Sequence, residues 1–178
     1  MMRNNHASGP LRASVGAMFS VLSLITLYLA VILPSGRLAL YFIASIFTMP
    51  LLVERQPVGA ILQFVVTSVL ALLIVPDLSL VLPYILLFGH YGIGKYYFEK
   101  MRSKIASFIA KLLYFNTGML GVYFLSFHAL GSAFLAELSP ILLALLVQIA
   151  FVVYDFLYSK VSLFYEVRIR SALMRAGK

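Results

Sequence analysis

Residues 13–36 read ASVGAMFSVLSLITLYLAVILPSG, a run of 24 positions without a single Asp, Glu, Lys or Arg. A helix rises about 1.5 Å per residue and the hydrocarbon core of a bilayer is about 30 Å thick, so about 20 such residues cross it. Strands of a membrane barrel would instead alternate apolar and polar positions in segments of about ten. This run is continuously apolar, which predicts a helix. Similar windows recur along the chain: 16 uncharged residues between Arg37 and Glu54, 21 between Arg55 and Asp77, 17 between Asp77 and Lys95, 25 between Lys111 and Glu137, and 17 between Glu137 and Asp155. The six windows hold 120 of the 178 residues.

The expected fold is therefore all-α, an integral membrane bundle of six transmembrane helices in one domain, 1–178. The spans fall at about 13–33, 37–53, 58–75, 80–97, 105–127 and 138–158. Pro34-Ser35-Gly36, Glu54-Arg55-Gln56-Pro57 and Pro76-Asp77-Leu78-Ser79 are turn-forming clusters between the apolar runs, and connections this short make consecutive helices antiparallel neighbours. The window of 16 is the shortest, and Arg37 and Glu54 extend it by reaching to the interface.

Composition points the same way. The chain is 62% hydrophobic and 11% charged, where soluble domains carry about a quarter charged residues, which excludes most soluble classes. A net charge of +8 in a soluble protein would point to nucleic acid. Here it marks cytoplasmic flanks beside anionic lipid, and no nucleic-acid partner is expected. With both termini inside, 13 of the 14 Lys and Arg residues fall on the cytoplasmic side and Arg37 alone lies outside. That bias supports an N-in, C-in arrangement. The first apolar run exceeds the 7–15 residues of a secretory signal core and reads as an uncleaved span. There are no cysteines, hence no disulfide, thiolate metal site or cysteine nucleophile, and no tryptophans, which leaves 11 tyrosines as interfacial anchors.

Motifs for chemistry are sparse. Gly89-His90-Tyr91-Gly92-Ile93-Gly94-Lys95 matches G-x-x-x-x-G-K, but Tyr96 stands where Ser or Thr should bind magnesium, and the run ends a membrane helix instead of joining a strand to a helix. It reads as a glycine-loosened helix end with Lys95 at the headgroups, or as a flexible elbow. Glu54, Asp77, Glu99, Glu137, Asp155 and Glu166 all fall near expected membrane boundaries, and His6, His90 and His128 are scattered. No acid pair, nucleophile dyad or metal-ligand set is evident, so neither an enzyme nor a cofactor or metal is expected.

Polar residues inside the bilayer are costly and mark helix contacts or a ligand path. Gln63, Thr67 and Ser68 lie in the third span, Asn116 and Thr117 in the fifth and Gln148 in the sixth. They serve either as interhelical hydrogen bonds or as a polar pocket open outward, with Arg37, Tyr41, Asp77, Tyr84, Tyr123, His128 and Glu137 at its rim. The substrate-binding candidates are Arg37, Gln63, Tyr84, Asn116, Tyr123, His128 and Gln148. Arg37 would pair with an anionic group of a solute, or simply with Asp77 or Glu137.

Ala13-x-x-x-Ala17, interleaved with Gly16-x-x-x-Ser20, gives the cytoplasmic start of the first span a smooth face for another helix, and Ala106 and Ala110 repeat the spacing in the fifth. Residues 160–178 combine Val161, Phe164, Val167 and Met174 with five basic residues and read as a basic helix continuing onto the membrane surface.

Six helices in a chain of this size, both ends inside, short loops and Ala13-x-x-x-Ala17 on the first helix together resemble the substrate-capture component of energy-coupling factor vitamin transporters. Pro34-Ser35-Gly36-Arg37 and Phe88-Gly89-His90-Tyr91 are similar to segments of related uncharacterised bacterial multi-pass proteins. The resemblance implies a bacterial plasma-membrane subunit that binds a vitamin-like solute from outside. It also implies contact through Ala13 and Ala17 with a transmembrane coupling subunit carrying two ATPases. The alternative is a structural or assembly membrane protein without a ligand.

Overall fold

The computed structural model describes residues 9–33, 35–130 and 140–170, and every regular element among them is helical. In chain order they are α1 (Gly9–Ile32), α2 (Arg37–Ile46), α3 (Met49–Val53), α4 (Pro57–Ile74), α5 (Leu78–Pro83), a π-helical segment (Tyr84–Phe88), α6 (Gly89–Phe98), α7 (Lys104–Leu130), α8 (Pro140–Phe164) and a second π-helical segment (Tyr165–Arg170). Among the described residues five stretches are long and apolar enough to cross a membrane: Ser14–Ile32, Pro57–Ile74, Leu78–Phe98, Lys104–Phe124 and Ala144–Arg168.

The expected span 37–53 is helical in two pieces. Pro50 has no N–H, and its ring would meet the carbonyl of Ile46 if one helix ran through, so α2 stops at Ile46 and α3 restarts at Met49. Thr48 N–H reaches back only to the Ser45 carbonyl, 3.3 Å, which tightens the junction. Pro83 acts differently. It sits inside a continuous stretch, and the backbone widens to π-helix over Tyr84–Phe88 before resuming as α6. The last span also differs from expectation, because α8 runs without interruption past 158 to Phe164. Asp155 therefore lies well inside a helix and not at its end.

The packing is that of a membrane protein. Large aliphatic side chains face outward, among them Leu73, Ile105 and Ile141, which are 77%, 74% and 82% exposed. Inside are hydroxyls, an amide, two lysines and rings: Ser23, Ser45, Thr48, Gln63, Thr67, Lys95, Lys111, Tyr84, Tyr91 and Phe151 are all buried. No water competes within hydrocarbon, so polar and small residues make the interhelical contacts while aliphatic ones meet lipid tails.

Helix α1 packs on α4 and α2, and α6 is touched by α2, α4 and α7. Its glycines make that central position possible. A Cβ on Gly89 would stand 2.7 Å from the Phe64 ring of α4, and one on Gly94 would stand 2.6 Å from the Tyr114 ring of α7. One on Gly92 would collide with the Tyr158 hydroxyl of α8. Each glycine admits an aromatic ring from a different helix, so the G-x-x-x-x-G-K run is helix-packing surface and not a phosphate loop.

Gly118 on α7 shows how tight this is, since a Cβ there would lie 2.7 Å from the Leu86 carbonyl oxygen, a backbone atom that cannot swing aside. Gly118→Ala should lower stability in detergent by about 1–3 kcal/mol, the usual cost of overpacking. Gly16→Ala, which meets nothing within 4 Å, should be neutral or stabilising by up to about 1 kcal/mol. Thermal unfolding of both variants checks the pair.

Candidate functional site

Tyr91, Lys95 and Glu99 recur at i, i+4 and share one face of α6 and its C-terminal end, while Asp155 and Ser159 share a face of α8. Where the two faces meet, the Lys95 ammonium donates to the Asp155 carboxylate Oδ1, to the Asp155 carbonyl at 3.0 Å and to Ser159 Oγ at 2.7 Å. Helix α7 contributes Lys111, whose Nζ donates to Asp155 Oδ2 at 2.9 Å. Tyr91 OH donates to Oδ1 at 2.8 Å, and Ser159 Oγ donates to the Asp155 carbonyl at 2.8 Å. Glu99 lies 3.3 Å from Lys95 and 3.5 Å from Lys111. Two cations and two anions balance, and both carboxylate oxygens of Asp155 are engaged.

Lys95 and Lys111 are only 3% and 8% exposed, which corrects the placement of Lys95 among the headgroups. A counterion of opposite sign within hydrogen-bonding distance is what makes such burial tolerable. The aromatic side chains complete the enclosure. The Tyr91 ring stands 4.8 Å from that of Tyr154 at 75° and 6.0 Å from that of Phe115 at 89°, both edge-to-face. Chemically the arrangement clamps three helices at one point. Among the described residues no group of three or more His, Asp or Glu side chains converges to hold a metal ion.

The substrate-binding candidates separate into groups. Gln63 is buried and accepts from Thr48 Oγ1 at 2.8 Å while donating to Ser23 Oγ at 3.0 Å, and Ser23 donates to the Ala44 carbonyl at 3.0 Å. Tyr84 is fully buried nearby, its hydroxyl facing Thr67 and Ser23. The Tyr84 and Thr67 hydroxyls are buried beside each other without reaching hydrogen-bond geometry, and Ser68 Oγ is buried with no partner. Asn116 and Gln148 pair with each other across α7 and α8, Gln148 Nε2 to Asn116 Oδ1 at 2.9 Å. Arg37 Nε donates weakly to the Leu33 carbonyl, 3.4 Å, and makes no ion pair with Asp77, although both flank Tyr41. Tyr41 OH itself donates to the Leu80 carbonyl at 2.6 Å. Tyr123 is exposed on α7. The side chains of His128 and Ala13, and all of Glu137, lie outside the described residues.

Ala17 is exposed on α1 and lines a groove of about 570 Å³ together with Gly16, Ser20, Gly59, Leu62 and Val66. The ion cluster escaped sequence reasoning because Lys95 and Lys111 were assigned to the cytoplasmic side by charge alone. The available signal was the i, i+4 spacing of Tyr91, Lys95 and Glu99 opposite an Asp within an apolar helix.

No protein-family model, no curated protein and no solved structure matches the chain.

Asp155→Asn would leave two buried ammonium groups facing each other without a full counter-charge. It should cost about 3–5 kcal/mol, the range for breaking a buried pair on one side. Replacing the group together, as Lys95→Met, Lys111→Met and Asp155→Leu, should recover most of that loss. Denaturant unfolding of the single and triple variants reads the difference.

Proposed function

We propose that the chain is a multi-pass plasma-membrane protein of six membrane-crossing segments, both ends cytoplasmic, that captures a small solute from outside. Delivery would run through a coupling subunit and its ATPases. In this reading α2 and α3 form one crossing of 17 residues, about 26 Å by helical rise, with Arg37 and Arg55 reaching the two interfaces.

The observation that supports solute capture is the cluster of buried hydroxyls on Tyr84, Thr67 and Ser68, none of them in a well-formed hydrogen bond, beside the Gln63, Ser23 and Thr48 chain. Each unsatisfied group costs about 1–3 kcal/mol, and a polar solute hydrogen-bonding there would remove the cost. Tyr84 stands six residues from the start of α5 at Leu78, about 9 Å below the outer interface in this orientation. Docking of the coupling subunit is supported by the groove at Ala17, whose small residues let a foreign helix approach α1 closely.

A second reading, a structural or assembly protein without a ligand, is favoured by the pairing of Gln63, Asn116 and Gln148 with other helices. Solute-dependent thermal stabilisation separates the two. At a solute concentration 100 times Kd, binding to the folded state adds about 2.7 kcal/mol. A screen of vitamin-sized solutes should find one that raises the unfolding temperature, with the effect lost in Tyr84→Phe plus Thr67→Val. No stabilising solute, together with no coupling subunit or ATPase recovered with the tagged protein, would leave the structural reading standing.

Orientation has its own check, because the chain has no cysteine. Single cysteines at the exposed Pro76 and Arg102 should differ in intact cells: a membrane-impermeant maleimide should label Pro76→Cys and spare Arg102→Cys. Equal labelling, or the reverse, would overturn the N-in arrangement.

A further inference from the structure

Beside the ion cluster, at the end of the bundle that carries α3's C-terminus, lies a cavity of about 530 Å³. Its wall includes Arg55, Lys95, Lys100, Tyr158 and Ser159. Arg55 from the turn after α3, Lys95 from α6 and Lys100 from the turn after α6 thus border one space. Glu99 and Glu166 share the wall, and Glu99 is held by Lys95 and Lys111. Arg55 and Lys100 are exposed, and Lys100 Nζ rests 3.8 Å above the Tyr96 ring without an ion pair.

The decisive group is Tyr158. It is 3% exposed, its hydroxyl lies against Gly92 on the same cavity wall, and that hydroxyl has no hydrogen-bond partner. A phenol can satisfy itself by donating to an acceptor, and a buried one left without an acceptor is costly. Arg55 and Lys100, both exposed, and an orphaned O–H on the same cavity wall make a site for an oxyanion.

Arg55 stands at the end of α3. Arg55 is the one non-glycine residue at positive φ, 56°, among the described residues. The left-handed turn is closed by the chain's own backbone, Gln56 N–H donating to the Leu51 carbonyl at 2.8 Å and Arg55 N–H to the Leu52 carbonyl at 3.0 Å. The turn ends α3 beside the cavity, whose wall includes Arg55.

We propose that this cavity binds a phosphate ester, with Arg55 and Lys100 taking the phosphate oxygens and the Tyr158 hydroxyl donating from the inner wall. Lys95, tied to Asp155, contributes positive potential without leaving its partner. The site is distinct from the solute site proposed above and stands whether or not that reading holds. The same chemistry is offered by a phospholipid headgroup and by a soluble phosphate ester.

The test uses the full-length protein in detergent, and separately in nanodiscs. Inorganic phosphate and glycerol 3-phosphate are titrated by thermal shift in detergent, and phospholipid retention is read by native mass spectrometry. The expected result is stabilisation by the soluble phosphates or retention of phospholipid, which also assigns the source. Arg55→Asn plus Lys100→Ala should weaken that binding by about tenfold or more, and Tyr158→Phe, which removes only the hydroxyl, by a smaller factor. Asn tolerates the left-handed backbone and both replaced side chains are exposed, so the double variant should fold. Neither stabilisation nor retention in the wild type would overturn the proposal. So would binding unchanged in the double variant, or stabilisation by chloride and sulfate as strong as by the phosphates.

Discussion

Asp155 is held between two buried lysines, and the meeting of α6, α7 and α8 depends on that contact. Lys95 arrives from α6 and Lys111 from α7, and each takes one oxygen of the same carboxylate. Buried in the protein, any one of the three charges would be costly by itself, so the three helices are constrained to approach at this one point and rotation. The glycines of α6 follow from the same requirement. Gly92 and Gly94 let Tyr158 and Tyr114 lie flush against α6, and a larger residue at either position would push α6 away from the helix carrying its charge partner.

The rest of the bundle uses gentler contacts. Helices α1, α2 and α4 are joined by the neutral chain from Thr48 through Gln63 to Ser23, and around it the small residues Ala30, Ala44, Ala60 and Ala71 allow close packing. Neutral hydrogen bonds between membrane helices are each worth only about 0.6–2 kcal/mol, far less than the loss from breaking a buried ion pair. One half of the molecule is therefore clamped by charge and rings, and the other by neutral hydrogen bonds and close helix packing, with the buried hydroxyls of Tyr84, Thr67 and Ser68 among them. The half held without buried charges is also the half that the solute-capture proposal uses.

Helices were legible in the sequence because apolar length is a one-dimensional property: the uncharged windows at 13–36 and 56–76 became α1 and α4 within a few residues. Pro50 was visible too, but its effect on the window 38–53 depended on whether a neighbour would satisfy the freed backbone, which a linear reading does not contain. Charge counting fixes which side of a membrane a lysine occupies and says nothing about rotation around its helix. For that reason Lys95 read as a headgroup anchor although it points inward at Asp155. The glycines of 89–94 suffered the same loss, since the rings they accommodate belong to α4, α7 and α8 and lie far away in sequence. Gln63, Asn116 and Gln148 were legible as polar residues within the bilayer, and their partners Thr48, Ser23 and one another were not.

The most direct measurement of the central contact is a double-mutant cycle on Lys95→Met and Asp155→Leu, with unfolding free energies measured for the wild type, both single variants and the double. A charge pair that holds the bundle together should give a coupling energy toward the upper part of the usual range of about 0.5–3 kcal/mol, with the double variant more stable than either single one. Losses that add to within about 0.5 kcal/mol would mean that the two side chains do not act on each other, and would contradict the account.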